Sequence, residues 1–157
     1  MGERLEREVI RPMEVGDVDA ALEIDLLSFP SAWARLSYLR DLVNPNCCYL
    51  VVEREGRIIA YAGMWVVKED SHLTTVAVHP EFRREGLGRR LLEEMIRAAL
   101  ERGAQRMSLE VRPGNFSARR LYESCGFIPV GEIRHYYLDT DDDALVMSLS
   151  ALRLRKQ

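Results

Sequence analysis

A strand-like run, Val76-Ala77-Val78, leads into the turn Arg83-Arg84-Glu85-Gly86-Leu87-Gly88, and a long amphipathic helix follows at once. A strand, a glycine-bearing turn and a helix N-terminus in that order constrain the fold more than any other feature of the chain. The first backbone N–H groups of the helix have no intrahelical partner, and the macrodipole adds partial positive charge where they point. Gly86 and Gly88 let the backbone close on a phosphate without interference from a Cβ. Arg83, Arg84 and Arg89 bring charge that suits a diphosphate. The turn therefore reads as a cradle for a small phosphorylated ligand.

The helix carries Leu91, Leu92, Met95, Ile96, Ala99 and Leu100 on one side and pairs Glu93 with Arg97 and Arg97 with Glu101 on the other, and Gly103 ends it. Before it, Val9 to Met13 reads as a strand. Gly16-Asp17 opens a helix through Leu26, and a second helix runs to about Leu42, where Asn44-Pro45-Asn46 stops it. Tyr49 to Glu53 and Ile58 to Val67 form a hairpin about Glu55-Gly56, and Ser71 to Val78 is the next strand. After the long helix come a strand at Arg106 to Arg112, a helix at Asn115 to Cys125, and strands at Val130 to Arg134 and Ala144 to Leu149. A tyrosine- and aspartate-rich loop joins the last two. The order β-α-α-β-β-β-α-β-α-β-β predicts an α/β fold, a mixed sheet with helices on its faces and a βαβ unit at its centre.

At 157 residues the chain fits one domain. Its 47% apolar and 30% charged content belong to a globular protein, and a net charge of -3 argues against nucleic-acid binding by bulk electrostatics. No stretch approaches the roughly 18 apolar residues that span a bilayer. The N-terminus lacks a signal peptide's apolar segment, so a cytoplasmic location without membrane association is expected. Cys47, Cys48 and Cys125 form neither a disulfide framework nor a CxxC metal pair. Asp139, Asp141 and Asp143 imitate the start of a calcium loop, but Ala144 stands where the loop needs glycine, so no metal is expected. His72 and His79 flank a strand without metal-like partners and read as surface or structural residues.

Chemistry is carried by the strand Met107-Ser108-Leu109-Glu110-Val111. Alternation sends Met107, Leu109 and Val111 to one face and Ser108, Glu110 and Arg112 to the other. Glu110 is then either a carboxylate paired with Arg112 or a neighbouring strand, or a general base. Asn115 and Tyr122 lie two helical turns apart on one face, with about 10 Å of rise between them. They suit an extended ligand lying alongside, although Asn115 also fits a helix N-cap and Tyr122 a half-buried core tyrosine. Cys125, beside a helix C-terminus whose dipole discourages a thiolate, reads as packing.

Val76-Ala77-Val78, the Arg-Arg-Glu-Gly-Leu-Gly turn, Leu109-Glu110-Val111-Arg112 with Asn115, and Leu121-Tyr122-Glu123-Ser124-Cys125-Gly126-Phe127 together resemble the GNAT N-acetyltransferases. Within that superfamily the pattern is most similar to the RimI-type protein N-terminal acetyltransferases, from about Ile10 to Leu149. The resemblance implies a mostly antiparallel sheet of about seven strands flanked by four helices, and acetyl-coenzyme A as donor. By the same resemblance, backbone groups of Val76, Ala77 and Val78 hold the pantetheine arm, and the turn from Arg83 through Glu85, Gly86, Leu87 and Gly88 to Arg89 binds the diphosphate. Asn115 contacts the arm near the thioester, Glu110 acts as general base on the acceptor amine, and Tyr122 stabilises or protonates the departing thiolate.

The acceptor is implied by two further segments. Phe29 and Pro30, between the first two helices, and Tyr136 and Tyr137, after the sixth strand, match loops that flank the peptide channel in such enzymes; the alternative is that the two tyrosines only pack on the sheet. Some eukaryotic relatives carry a catalytic glutamate after the Phe-Pro step. This chain has Ser31 there, which favours Glu110 and the bacterial pattern. The resemblance points to the N-terminal alanine of the eighteenth small-subunit ribosomal protein as acceptor, and the expected oligomeric state is a monomer or weak homodimer. A lysine or small-amine acetyltransferase and a non-catalytic coenzyme A sensor are the alternatives on the same fold.

Overall fold

The computed structural model describes residues 8–28, 35–150 and 152. Strands β1 (Glu8–Pro12), β2 (Cys47–Arg54), β3 (Arg57–Val67), β4 (Asp70–Val78), β5 (Arg106–Val111), β6 (Ile128–Tyr137) and β7 (Asp142–Ser150) form one seven-stranded sheet in the order β1-β2-β3-β4-β5-β7-β6. Every neighbouring pair is antiparallel except β4 and β5, which are parallel. Among the described residues four α-helices flank it: α1 (Val18–Ser28), α2 (Arg35–Leu42), α3 (Leu87–Glu101) and α4 (Phe116–Ser124). The mixed α/β architecture and the element order are those expected from the sequence.

The two faces of the sheet have separate cores. On one, α3 buries Leu87, Leu91, Leu92, Met95, Ile96 and Ala99 against the sheet, beside Tyr122 of α4. Each buried leucine, isoleucine or methionine there contributes roughly 1.5–3 kcal/mol. Gly103, at φ +95°, closes α3: its N–H donates to Leu100 O and the next N–H, from Ala104, donates to Ala99 O, both at 3.0 Å. On the other face, α1 and α2 pack Val18, Ala21, Ile24 and Tyr38 over Tyr49, Val51, Tyr61 and Ala77. A fully buried carboxylate ties this layer down. Asp25 of α1 accepts from the hydroxyls of Tyr38 on α2 and Tyr61 on β3, and the two hydroxyls lie 2.7 Å apart. Burial, with Asp25 beside it, holds the Tyr38 phenol well above its ordinary range.

Tyr49 reaches across β3 to donate to Asp41 of α2 at 2.7 Å, and it passes directly over Gly63. A Cβ at Gly63 would sit 2.7 Å from Tyr49 Cδ2 and 2.8 Å from Cζ, closer than carbon atoms pack. Gly63→Ala is therefore expected to destabilise the fold by about 1–3 kcal/mol, the usual cost of overpacking. A thermal melt in which the variant unfolds at the wild-type temperature would contradict this reading of the contact.

Two local features shape the region around β4 and β5. β4 carries an extra residue opposite β3, where Gly63 pairs with Thr75 and Met64 with Leu73, so Thr74 bulges; its hydroxyl donates back to Gly63 O at 3.0 Å. Such a bulge bends the strand and increases its twist. Beyond it β4 leaves β5, because their pairing covers only Asp70, Ser71 and His72 against Arg106, Met107 and Ser108. The sheet thus opens into a V between two central strands. The second feature is β6, which extends to Tyr137 and so includes both tyrosines expected in a loop. A register irregularity between Ile133 and Tyr137, with His135 at φ +54°, breaks the alternation that would have marked it as strand.

Candidate active site

The V between β4 and β5 continues into an open groove of about 620 Å³. Val76, Ala77 and Val78 form one wall, Arg83, Arg84, Gly86, Leu87, Gly88 and Arg89 the floor, and Asn115, Leu121 and Tyr122 the opposite wall. His79 N–H donates to Ile59 O on β3 at 2.8 Å. Backbone groups alternate sides along a strand, so Val78 and Val76 turn their N–H and C=O groups toward the side that β5 has left. Arg83 Nε already donates to Val78 O at 3.0 Å. An extended ligand bearing amides can add to this edge as a strand would.

At the groove floor the turn takes the conformation its glycine permits. Gly86 caps α3 at φ +80°, Arg84 is left-handed at φ +66°, and the first helical bond runs from Arg90 N–H to Gly86 O at 3.1 Å. The N–H groups preceding Arg90 have no intrahelical partner at a dipole's positive end, an arrangement suited to an anion, with arginines on both sides. The Glu85 carboxylate turns away to Arg54 at 2.9 Å, which Glu8 also holds at 2.6 Å, so what Glu85 offers the turn is its backbone. Arg89 lies near Ser124 O and Glu93, bridging α3 to the end of α4.

Asn115 and Tyr122 share the groove wall as their spacing suggested. Asn115 Oδ1 caps α4 by accepting from Ala118 N–H at 3.2 Å. Tyr122 is 8% exposed, its ring 5.9 Å from that of Phe127. Burial, with Tyr137 nearby, pushes its phenol well above the ordinary range and keeps it protonated. Cys125 is half-buried against the core, and burial pushes its thiol up, which fits packing rather than nucleophilic work.

Glu110 stands on the other face of the sheet. Met107, Leu109 and Val111 enter the core under α3, so Glu110 projects toward the α1/α2 side. Its partner is not Arg112 but the neighbouring strand β4, as the alternation of the strand allowed. His72 Nε2 lies 2.8 Å from Oε1 and 2.9 Å from Oε2, and Tyr136 donates its hydroxyl to Oε1 at 3.0 Å. The His72 hydrogen bond, opposed by burial and reinforced by the electrostatic pull of the same ring and by the Tyr136 hydroxyl, holds Glu110 below the usual carboxylate range. Burial and the Glu110 carboxylate push Tyr136 up to about 12. Tyr137 meets Tyr136 edge-on at 4.9 Å and lies beneath the Arg112 guanidinium at 3.8 Å.

His72 is the functional-site neighbour that sequence reading missed. No local pattern marks it, because its link to Glu110 depends on the β4–β5 register. Phe29 and Pro30 lie outside the described residues. Arg112 binds Asp139 and Asp142, and His135 binds Asp141. Among the described residues no three His, Cys, Asp or Glu side chains gather into a metal-sized group, and no helix is long and apolar enough to cross a membrane.

The model of the acetyltransferase (GNAT) family matches residues 18–127. A Bacillus subtilis protein provisionally described as a ribosomal protein bS18-alanine N-acetyltransferase is 39% identical over 139 residues, covering 88% of this chain and 92% of the relative. The ribosomal protein bS18-alanine N-acetyltransferase of Escherichia coli K12 is 35% identical over 142 residues, covering 89% and 95%. The crystal structure of the E. coli ribosomal-protein-S18-alanine N-acetyltransferase superposes with a TM-score of 0.84 across 96% of this chain and 97% of that one. PaiA N-acetyltransferase of Thermoplasma acidophilum, solved in complex with coenzyme A, shares the fold at 16% identity, with a TM-score of 0.75 over 91% of this chain and 98% of its own. The chain belongs to the acetyltransferase (GNAT) family and is an acetyl-transferring enzyme.

Proposed function

We propose that the enzyme is a protein N-terminal α-amino acetyltransferase that moves acetyl from acetyl-coenzyme A to the N-terminal alanine of a small-subunit ribosomal protein. The bS18-alanine activity named for the E. coli relative, 35% identical over nearly the whole length of both chains, supports the acceptor. That acceptor also places the enzyme in the cytoplasm. One observation carries the chemistry: the V between β4 and β5 has Tyr122 and the arginine-flanked turn on one face of the sheet and Glu110 with Tyr136 on the other. A donor and an acceptor can enter from opposite faces and meet in the opening.

The groove fits acetyl-coenzyme A. Its floor offers backbone N–H groups and arginines to a diphosphate, and its wall offers the edge of β4 to the amides of the pantetheine arm, with Asn115 alongside. When bound, the donor supplies an activated acyl group on a sulfur leaving group. Glu110 takes the proton that an acceptor ammonium must lose before its nitrogen can attack, directly or through one water. The Tyr122 phenol donates a hydrogen bond to the sulfur as charge develops there. Tyr136 and Tyr137 close the acceptor side with rings and hydroxyls.

The acceptor is tested by incubating enzyme and acetyl-coenzyme A with a peptide that starts with the bS18 N-terminal alanine and also contains an internal lysine. Fragmentation mass spectrometry is expected to place one acetyl group on the α-amine. Acetylation of the lysine ε-amine alone would transfer the assignment to a side-chain acetyltransferase. Absence of thiol release with any amine would leave only coenzyme binding.

A further inference from the structure

We infer that His72 is a positioning residue for the acetyl-transfer reaction, fixing through its Nε2–H the carboxylate that accepts the proton. This rests on the reading of Glu110 as general base. The geometry around the ring is specific. Nε2 lies 2.8 and 2.9 Å from the two Glu110 oxygens, so a proton must stand between the ring and the carboxylate, and Nε2 is its place. Nδ1 is buried with no hydrogen-bond partner among the described residues. A proton there would be an orphaned donor, whereas a bare lone pair costs less, so both observations select the Nε2–H tautomer. Trp65, the register partner of His72 on β3, stacks on the imidazole with ring centroids 5.5 Å apart and planes 28° from parallel. The ring therefore has one orientation, and its single donor points at Glu110.

The carboxylate is affected in two ways. With both oxygens drawn toward one nitrogen and Oε1 also held by Tyr136, Glu110 keeps a fixed rotamer in the opening of the sheet. A fixed base saves the orientation cost that a freely rotating one would carry into the transition state. The donor also favours the ionised form. The titratable groups facing Glu110 are His72 from β4 and Tyr136 and Tyr137 from β6. The tyrosines are themselves shifted upward and stay neutral, so His72 has the larger influence. His72 does not touch the acceptor. It acts through Glu110.

A donor role and a packing role separate in two substitutions. His72→Phe keeps a ring against Trp65 and removes the donor; His72→Gln keeps a side-chain N–H donor and loses the ring. The expected result is a kcat at least about tenfold lower in His72→Phe, substantially restored in His72→Gln, with KM for acetyl-coenzyme A within about twofold of wild type in both. In parallel, the Glu110 carboxyl is followed by carbon NMR in protein labelled at glutamate carboxyls, its signal assigned by its loss in Glu110→Gln. Its titration midpoint is expected to rise in His72→Phe and to stay low in His72→Gln. Equal loss in both variants, or an unmoved midpoint in His72→Phe with the protein folded, overturns the inference. Full activity in Glu110→Gln overturns instead the reading of Glu110 on which it stands, so the two failures are distinguishable.

Discussion

Glu110→Gln is expected to lower kcat by about 10²–10⁴-fold, the range that a positioned general base contributes. Glutamine is nearly isosteric and can still accept from Tyr136 and His72, so the local structure survives and the loss falls on proton transfer. The acceptor gives the base its importance. An α-ammonium has an ordinary pKa near 8, so at neutral pH most of it lacks a lone pair. A carboxylate held below its ordinary range is ionised throughout neutral conditions and is always ready to receive the proton. The sign is definite: lowering the pH protonates Glu110 only below the usual carboxylate range, so it causes no loss of rate between about pH 6 and 8. Binding should be spared, because the glycine turn and the β4 edge lie in a groove that Glu110 does not line. Steady-state kinetics with the alanine peptide, together with acetyl-coenzyme A affinity measured separately, check both parts. A variant with wild-type kcat would reject Glu110 as the base.

How much of this site can be read from sequence depends on whether the signal is local. The glycine turn is legible because Gly86, Gly88 and the flanking arginines lie within a few residues of one another, and each has a backbone or electrostatic reason to be there. Alternation in Met107 to Val111 is enough to place Glu110 on the polar face of its strand. The seven-residue spacing of Asn115 and Tyr122 is likewise enough to put both along one groove wall. The partners of those residues are another matter. His72 reaches Glu110 across 38 positions of chain, and Arg54 holds the Glu85 carboxylate across 31. Neither pairing has a periodicity or a spacing to betray it. The opening between β4 and β5 depends on an extra residue at Thr74, and a bulge of this kind leaves no compositional trace in a β-branched run. β6 fails for a different reason. It is an edge strand exposed along nearly its whole length, so burial imposes no alternation on it, and its Tyr136-Tyr137 end looks like loop.

Tyr122→Phe has the second large expected effect, and here the direction of the pKa shift decides what kind of help the hydroxyl gives. A thiol has an ordinary pKa near 8.5, and a phenol near 10. Burial carries Tyr122 further up, so it is a weaker acid than the group it would protonate. Complete proton transfer to the departing sulfur is therefore uphill. A hydrogen bond donated as negative charge accumulates is not, and in a groove wall 8% exposed to solvent such a bond is strengthened by the low dielectric. Losing one donor of that kind costs about 10²–10³-fold in kcat. The phenylalanine ring keeps the contact with Phe127, so the thermal midpoint and the KM for acetyl-coenzyme A should stay near those of wild type. Because the raised pKa preserves the neutral phenol past about pH 10, Tyr122 should cause no fall in wild-type rate between about pH 8 and 10. A donor whose thiol is a better leaving group needs less of this stabilisation, so the penalty of Tyr122→Phe should shrink as the thiol pKa of a series of acetyl thioesters falls. A penalty that is constant across the series would mean that the hydroxyl positions the donor rather than stabilising its leaving sulfur.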